Sequence, residues 1–209
     1  PHRSEDKENF TLLLKALREE LDRYQVEDNK HYLTTVAAGA ADEFVEATEM
    51  GEAARYLDFV NLMTYDFYVA EADPITGHHT CLYTNPEAPK DISTHHAVQN
   101  FIRAGVPSDK IVIGSAFYGQ AWEEVDSKNN GLFQPGKPAA INSSYRSIRT
   151  ELEGNYGFKR YWDDVARAAY LYSHSRRIFI SYDDPVSVKL KCNYVLDNKL
   201  GGIMFWEYY

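Results

Sequence analysis

FVNLMTYDFY (residues 59–68) is apolar through Met63 and then turns polar at Tyr65 and Asp66. A short apolar run that stops on a tyrosine and an aspartate predicts a buried strand, Asp58 to Tyr65, that delivers two polar side chains at its end. Three other stretches read as short buried strands, two of them also ending in aromatic and polar residues. HYLTTVAAG (31–39) is short, β-branched and ends in glycine; KIVIGSAFYG (110–119) ends at Tyr118 with Gln120 next; GIMFWEY (202–208) ends in Trp206 and Glu207. Side chains alternate along a strand, so Met63 pairs with Tyr65, Tyr118 with Gln120, and Met204 with Trp206, each pair on one face.

Helical patterns separate these strands. Phe10, Leu13, Leu14, Leu17 and Leu21 recur at helical spacing, and a second helix over 47–57 carries Met50, Ala53, Ala54 and Leu57 on one face. STHHAVQNFIRAG (93–105) has a serine cap and a Gly105 stop, and the helix of DPVSVKLKCNYVLDNKLGG (184–202) has Pro185 in its first turn and a Gly201 stop. Buried strands alternating with amphipathic helices predict a parallel α/β sheet. The alternation breaks between Gln120 and about Asp184, a stretch with mixed strand signals such as RIFISYDD, which reads as an inserted α+β subdomain. The expected organisation is therefore 1–119, 120–184 and 185–209. Four strand–helix units are too few for a closed (β/α)8 barrel, and no phosphate-binding glycine motif accompanies them. The chain reads as cut at both ends.

Composition excludes several partners. A net charge of −9 argues against nucleic acid and anionic membranes. No apolar run approaches the ~20 residues that span a bilayer, and PHRSEDKENF at the start lacks the apolar core of a signal peptide. Cys81 and Cys192 stand far apart without metal spacing and read as free structural thiols. Adjacent His78 and His79 diverge and have no third ligand at metal spacing, which predicts a loop role and no metal or other cofactor. Asp183 and Asp184, ahead of Pro185, read as helix caps, and Asp163 with Asp164 as the opening of another helix. The 16 tyrosines and 14% aromatic content suit a neutral, carbohydrate-like ligand as well as a core. Active sites of parallel α/β folds form at the carboxyl ends of strands, where this chain gathers aromatic and acidic residues. Trp206 there suits stacking on a sugar, with Asp66 and Glu207 available for hydroxyls or acid–base work.

Taken in order, EDKENFTLLLKALREELD, FVNLMTYDFY, KIVIGSAFYGQAW, YWDDVARAAYLY, FISYDDPVSVKLKCNYV and LGGIMFWEY resemble consecutive segments of glycoside hydrolase family 18, the chitinases and their relatives. The resemblance implies strands five to eight of a (β/α)8 TIM barrel, with the α+β insertion between strands seven and eight. It implies a retaining, substrate-assisted cleavage of β-1,4-linked N-acetylglucosamine polymers, an exception to the two-carboxylate scheme. By position in the motifs, the resemblance makes Tyr65 and Asp66 the catalytic pair, Tyr65 donating to the acetamide oxygen and Asp66 accepting from sugar hydroxyls. It makes Met63, Tyr118, Gln120, Trp206 and Glu207 substrate-binding, with Met63 under the acetamido methyl and Trp206 as the floor. Gln120 stands where many relatives carry arginine. The family's DxxDxDxE motif, whose glutamate is the general acid, does not occur in these 209 residues. The expectation is a carboxyl-terminal half barrel, inactive alone, with a companion amino-terminal half and an extracellular or periplasmic location. A non-catalytic chitin-binding lectin and an endo-β-N-acetylglucosaminidase acting on glycoprotein glycans are the alternatives.

Overall fold

The computed structural model describes residues 4–208. Among the described residues the helices are α1 (Ser4–Asp28), α2 (Asp42–Glu46), α3 (Met50–Ala53), α4 (Thr94–Arg103), α5 (Tyr145–Ser147) and α6 (Pro185–Asp197). The strands are β1 (Thr35–Gly39), β2 (Phe59–Met63), β3 (Ile111–Ala116), β4 (Gly119–Glu123), β5 (Lys137–Pro138), β6 (Phe158–Asp163), β7 (Ala168–Ser173), β8 (Ile178–Tyr182) and β9 (Gly202–Trp206). The chain forms two compact units. The first comprises Pro1–Met63, Ala97–Ile113 and Tyr194–Met204; the second comprises Thr64–His96, Gly114–Asn193 and Phe205–Tyr209.

The first unit is built on a sheet of order β1-β2-β3-β9. β1 and β2 run parallel from Thr35↔Phe59 to Gly39↔Met63, and β2 pairs parallel with β3 from Val60↔Ile111 to Leu62↔Ile113. Ala38, Val60, Leu62, Ile111 and Ile113 are buried, as are Met50, Ala53, Val98 and Phe101 from the helical segments and Leu57 just ahead of β2. These parallel strands thus bury the small and branched side chains that made them legible. β1 begins four residues later than the pattern suggested, because residues 31–34 are spent on polar anchoring. Arg18 of α1 donates to the Tyr32 carbonyl at 2.6 Å and to Thr34 Oγ1 at 3.1 Å, while Asp58 accepts from the Thr34 amide at 2.7 Å and meets His31 Nε2 at 2.5 Å.

The expected apolar face of α1 is only partly covered. Leu14 is buried, but Leu13 and Leu17 are 57% and 46% exposed. The helix expected over 47–57 is broken into α3 and a tighter turn over Ala54–Tyr56. α4 matches its signals: the Ser93 hydroxyl accepts from the His96 amide at 3.1 Å, and Gly105 follows at φ +96°. Gly201 does not stop α6. Lys199 adopts the left-handed conformation, φ +52°, and Leu200 donates its amide to the Val195 carbonyl at 2.9 Å.

The second unit holds an antiparallel sheet of order β5-β4-β8-β7-β6. Ala121, Ile148, Leu152, Phe158, Ala169, Leu171, Ile180 and Tyr182 form one core cluster on it. Tyr170 stacks against Tyr161 at 5.4 Å and against Phe179 at 5.2 Å. The single strand expected over 110–119 is in fact two. β3 ends at Ala116, and β4 starts at Gly119 in the antiparallel sheet, where a Cβ on Gly119 would lie 2.7 Å from the Ser181 carbonyl oxygen. Asp163 and Asp164 do not open a helix, because residues 168–173 pair as a strand on both sides. Asp163 ends β6 and accepts from the amides of Val165 and Ala166 at 2.9 and 3.0 Å, closing the turn into β7. The segment after β2 folds onto this sheet: Leu82 and Tyr83 donate to the Ala166 carbonyl, Trp122 Nε1 donates to the Asp73 carbonyl, and His78 Nε2 meets Asp163 Oδ2 at 3.0 Å.

Candidate functional site

β2 ends at Met63, so Tyr65 and Asp66 stand just beyond the strand rather than within it. Met63 is half-buried and closes the β1–β2 pairing in the first unit. In the second unit the next residue, Thr64, keeps the chain in register: its hydroxyl donates to the Gly114 carbonyl at 2.9 Å and accepts from the Gly114 amide at 2.8 Å. Asp66 then takes φ +57°, which turns the chain sharply and aims its carboxylate away from the strand line. Aspartate is among the few side chains that tolerate this region.

The carboxylate is held from three sides. Gln120 Nε2, on β4, donates to Asp66 Oδ1 at 2.8 Å, Tyr118 adds a hydrogen bond, and His79 Nδ1 lies 3.6 Å from the same oxygen, an electrostatic contact longer than a hydrogen bond. Burial alone would raise the acid's pKa, but the pull of His79, Gln120 and Tyr118 outweighs it and holds the group below its ordinary value. The Tyr65 ring meets Tyr118 edge-on, centroids 6.2 Å apart. Burial first, and the Asp66 charge second, raise the Tyr65 phenol's pKa, so its hydroxyl remains a donor at neutral pH. His79 is fully buried, with its ring 5.2 Å from Tyr118 and its amide donating to Ser181 Oγ at 2.9 Å.

Asp66, Tyr118 and Trp206 line one open cleft of about 720 Å³ with residues 141–144. Trp206 is 53% exposed, its indole free to form a floor, while its carbonyl accepts from the Phe117 amide at 2.8 Å. Its peptide bond to Glu207 is cis. Glu207 lines a neighbouring hollow of about 430 Å³ with Phe117, Ser144, Tyr145, Arg146 and Tyr208. The structure therefore brings Tyr65, Asp66, Tyr118, Gln120 and Trp206 together, and sets Glu207 on an adjoining surface. An ionised acceptor, phenolic donors and an exposed indole form an arrangement suited to an uncharged polyhydroxylated ligand. Among the described residues no group of three or more His, Cys, Asp or Glu side chains could hold a metal ion, and no helix is long and apolar enough to cross a membrane.

Sequence reasoning missed His79 as a partner of Asp66 and residues 141–144 as a cleft wall; INSS carries no periodicity that would flag it. Asp184 caps α6 as expected, accepting from the amides of Val186 and Ser187, both at 2.9 Å. Asp183 does not act as a backbone cap for the helix; it is buried against Lys191 at 2.6 Å. Cys81 and Cys192 are both free, and burial pushes the Cys81 thiol up to about 12, which leaves it inert.

The carboxylates set the acid limit of the fold. Asp58, Asp66, Asp163 and Asp183 all sit below their ordinary values. A depressed folded pKa contributes stability above the unfolded value of about 3.9, lost as pH falls through the folded values. The thermal midpoint is expected to hold from neutrality to about pH 5 and to drop steeply below about pH 4. A midpoint that rises on acidification below that point would contradict the depressed carboxylates.

Comparison with known proteins places the chain in context. The profile described as Glycosyl hydrolases family 18 matches residues 1–209. Chitinase A1 of Niallia circulans is 39% identical over 219 residues, covering 98% of this chain and 31% of that protein. The solved structure of a glycoside hydrolase family 18 N-acetylglucosaminidase from Paenibacillus barengoltzii is 46% identical with a TM-score of 0.91, covering 99% of this chain and 60% of that one. The class V chitinase of Nicotiana tobaccum in complex with NAG4 is 29% identical with a TM-score of 0.88, over 99% of this chain and 61% of that one. The chain spans about a third to a half of the length of the curated relatives it matches, 31% and 47% for the first two.

Proposed function

Because the chain belongs to glycosyl hydrolases family 18, we propose that it supplies the acetamide-holding side of a hydrolase cleaving β-1,4-linked N-acetylglucosamine polymers. The observation that carries this reading is Asp66, left-handed and ionised, tied to Gln120 and Tyr118 beside the Tyr65 phenol on a cleft with an exposed Trp206. In the reaction the substrate's own acetamido oxygen attacks the anomeric carbon as the glycosidic bond breaks. Tyr65 donates to that oxygen as the ring closes, Asp66 accepts from the sugar, Trp206 stacks beneath it and Tyr118 walls it. Gln120 acts through Asp66, and Glu207 serves a neighbouring hydroxyl. This positioning leaves no general acid among the named residues, and DxxDxDxE does not occur in the 209-residue sequence. The proton for the leaving oxygen comes, in this proposal, from a glutamate elsewhere in the protein.

The same proposal makes β1, β2, β3 and β9 strands five to eight of a TIM barrel. Residues 1–119 and 185–209 belong to that barrel, residues 120–184 form its α+β insertion, and an amino-terminal half completes it. An extracellular polymer as substrate implies an extracellular site of action. The 209-residue chain alone is expected to give no measurable product from the N-acetylglucosamine tetramer, while the full-length protein turns it over. Robust turnover by the short chain would refute the external acid.

A second reading, hydrolysis of N-acetylglucosamine linkages outside chitin, draws support from the 46% identity to an N-acetylglucosaminidase. Release of glycan from a glycoprotein, with chitin left intact, would favour it.

A further inference from the structure

Lys191 is fully buried on α6, a costly position for an ammonium group, and none of the roles above uses it. Its Nζ donates to Asp183 Oδ2 and to Thr80 Oγ1, both at 2.6 Å. From these two acceptors the contacts run to two strand ends. Asp183 Oδ2 accepts from the Ser115 hydroxyl and the Ala116 amide, both at 3.1 Å, at the end of β3 and two residues before Tyr118. Its other oxygen accepts from Ser187 Oγ at 2.7 Å. Thr80 Oγ1, taking its hydrogen bond from Lys191, donates to the Thr64 carbonyl at 3.0 Å, in the peptide unit that leads directly into Tyr65. The Thr64 hydroxyl in turn bonds both backbone groups of Gly114, donating to its carbonyl and accepting from its amide.

A buried ion pair is weak evidence for stability, since desolvating two charges offsets most of their attraction. What such a pair does supply is directional geometry: Lys191 holds Asp183 Oδ2 and Thr80 Oγ1 together, and the Thr80 hydroxyl, within reach of the Thr64 carbonyl at 3.0 Å and of Asp183 Oδ2 at 3.2 Å, joins the pair to the peptide before Tyr65. We infer that Lys191, Asp183 and Thr80 form a clamp of positioning residues that fixes the peptide before Tyr65 against the end of β3, and so sets the separation of the Tyr65–Asp66 pair from Tyr118 and Gln120. The clamp touches no substrate. It rests on the proposed reading of those four side chains, and deepens it by naming what holds them in place.

Lys191→Met or Asp183→Asn strands a buried charge and unfolds the protein before the clamp can be read, so the informative position is Thr80. In the full-length protein, Thr80→Val keeps the volume and removes the hydroxyl, and Thr80→Ser keeps the hydroxyl. Thr80→Val is expected to lower kcat on the N-acetylglucosamine tetramer about tenfold or more with KM little changed, because sub-ångström misplacement of catalytic groups acts mainly on the reacting state. Thr80→Ser is expected to retain the wild-type kcat. Equal kcat in Thr80→Val and wild type, or equal losses in both variants, overturns the clamp. If the wild type itself leaves the tetramer uncleaved, the proposed function falls and the clamp is read from amide hydrogen exchange. Faster exchange at residues 64–67 and 116–118 in Thr80→Val alone supports it, and unchanged exchange there overturns it.

Discussion

On the proposed function, replacing Asp66 by asparagine in the full-length protein is expected to lower kcat on N-acetylglucosamine oligomers by about 10²–10³-fold, the range for losing one preorganised polar contact to the reacting centre. The size follows from what surrounds the side chain. Gln120 Nε2 and Tyr118 both donate to the carboxylate, and His79 Nδ1 lies 3.6 Å away. An asparagine cannot satisfy this donor-rich surround, since one of its two polar ends is itself a donor. Its amide either turns outward, losing the acceptor for the sugar, or faces the donors and breaks the set. Because Asp66 is partly exposed, thermal stability is expected to change little, which separates the effect from unfolding. Steady-state kinetics with circular dichroism checks it, and a kcat within about threefold of wild type would remove Asp66 from the reaction.

Asp163→Ala has the largest expected effect on stability, about 3–5 kcal/mol, because it strands several buried groups at once. Asp163 Oδ2 meets His78 Nε2 at 3.0 Å and accepts from Asn85 Nδ2 at 2.7 Å, while Oδ1 accepts from the amides of Val165 and Ala166. Although burial favours its neutral form, His78, the Ala166 amide and Asn85 together hold the acid well below the carboxylate range. Alanine therefore undoes the β6–β7 turn and the docking of the segment after β2 in one step. Urea unfolding reads the loss. Asp163→Asn, which retains acceptor capacity, is expected to lose less; a midpoint for Asp163→Ala equal to wild type would show the turn to be held by pairing of β6 and β7 alone.

The family and the α/β class were legible because they reside in strand bodies and strand ends. Apolar runs 59–63 and 111–116 read as buried strands from their own composition, and the polar residues that follow each run mark a candidate site. What escaped was decided by tertiary pairing. The apolar and small residues of KIVIGSAFYGQAW continue past Ala116, so nothing local marks where β3 gives way to a strand of another sheet. The break comes from the Phe117 amide reaching the Trp206 carbonyl and the Gly119 amide reaching the Ser143 carbonyl. Likewise DDVARAAY has the acids and alanines of a capped helix, yet Ala168–Ser173 lies between two strands whose pairing overrides that propensity. Asp183 and Asp184 are identical in type and adjacent in sequence. Only packing distinguishes the one that caps from the one that holds a lysine.

The left-handed backbone at Asp66 carries a cost of about 1 kcal/mol that glycine would not bear. Selection for heat tolerance alone would therefore push this position toward glycine and reward the loss of its carboxylate. Under selection for turnover the same position would resist. On the proposed role of its carboxylate, a thermostabilising library built on this chain should hold residue 66 fixed.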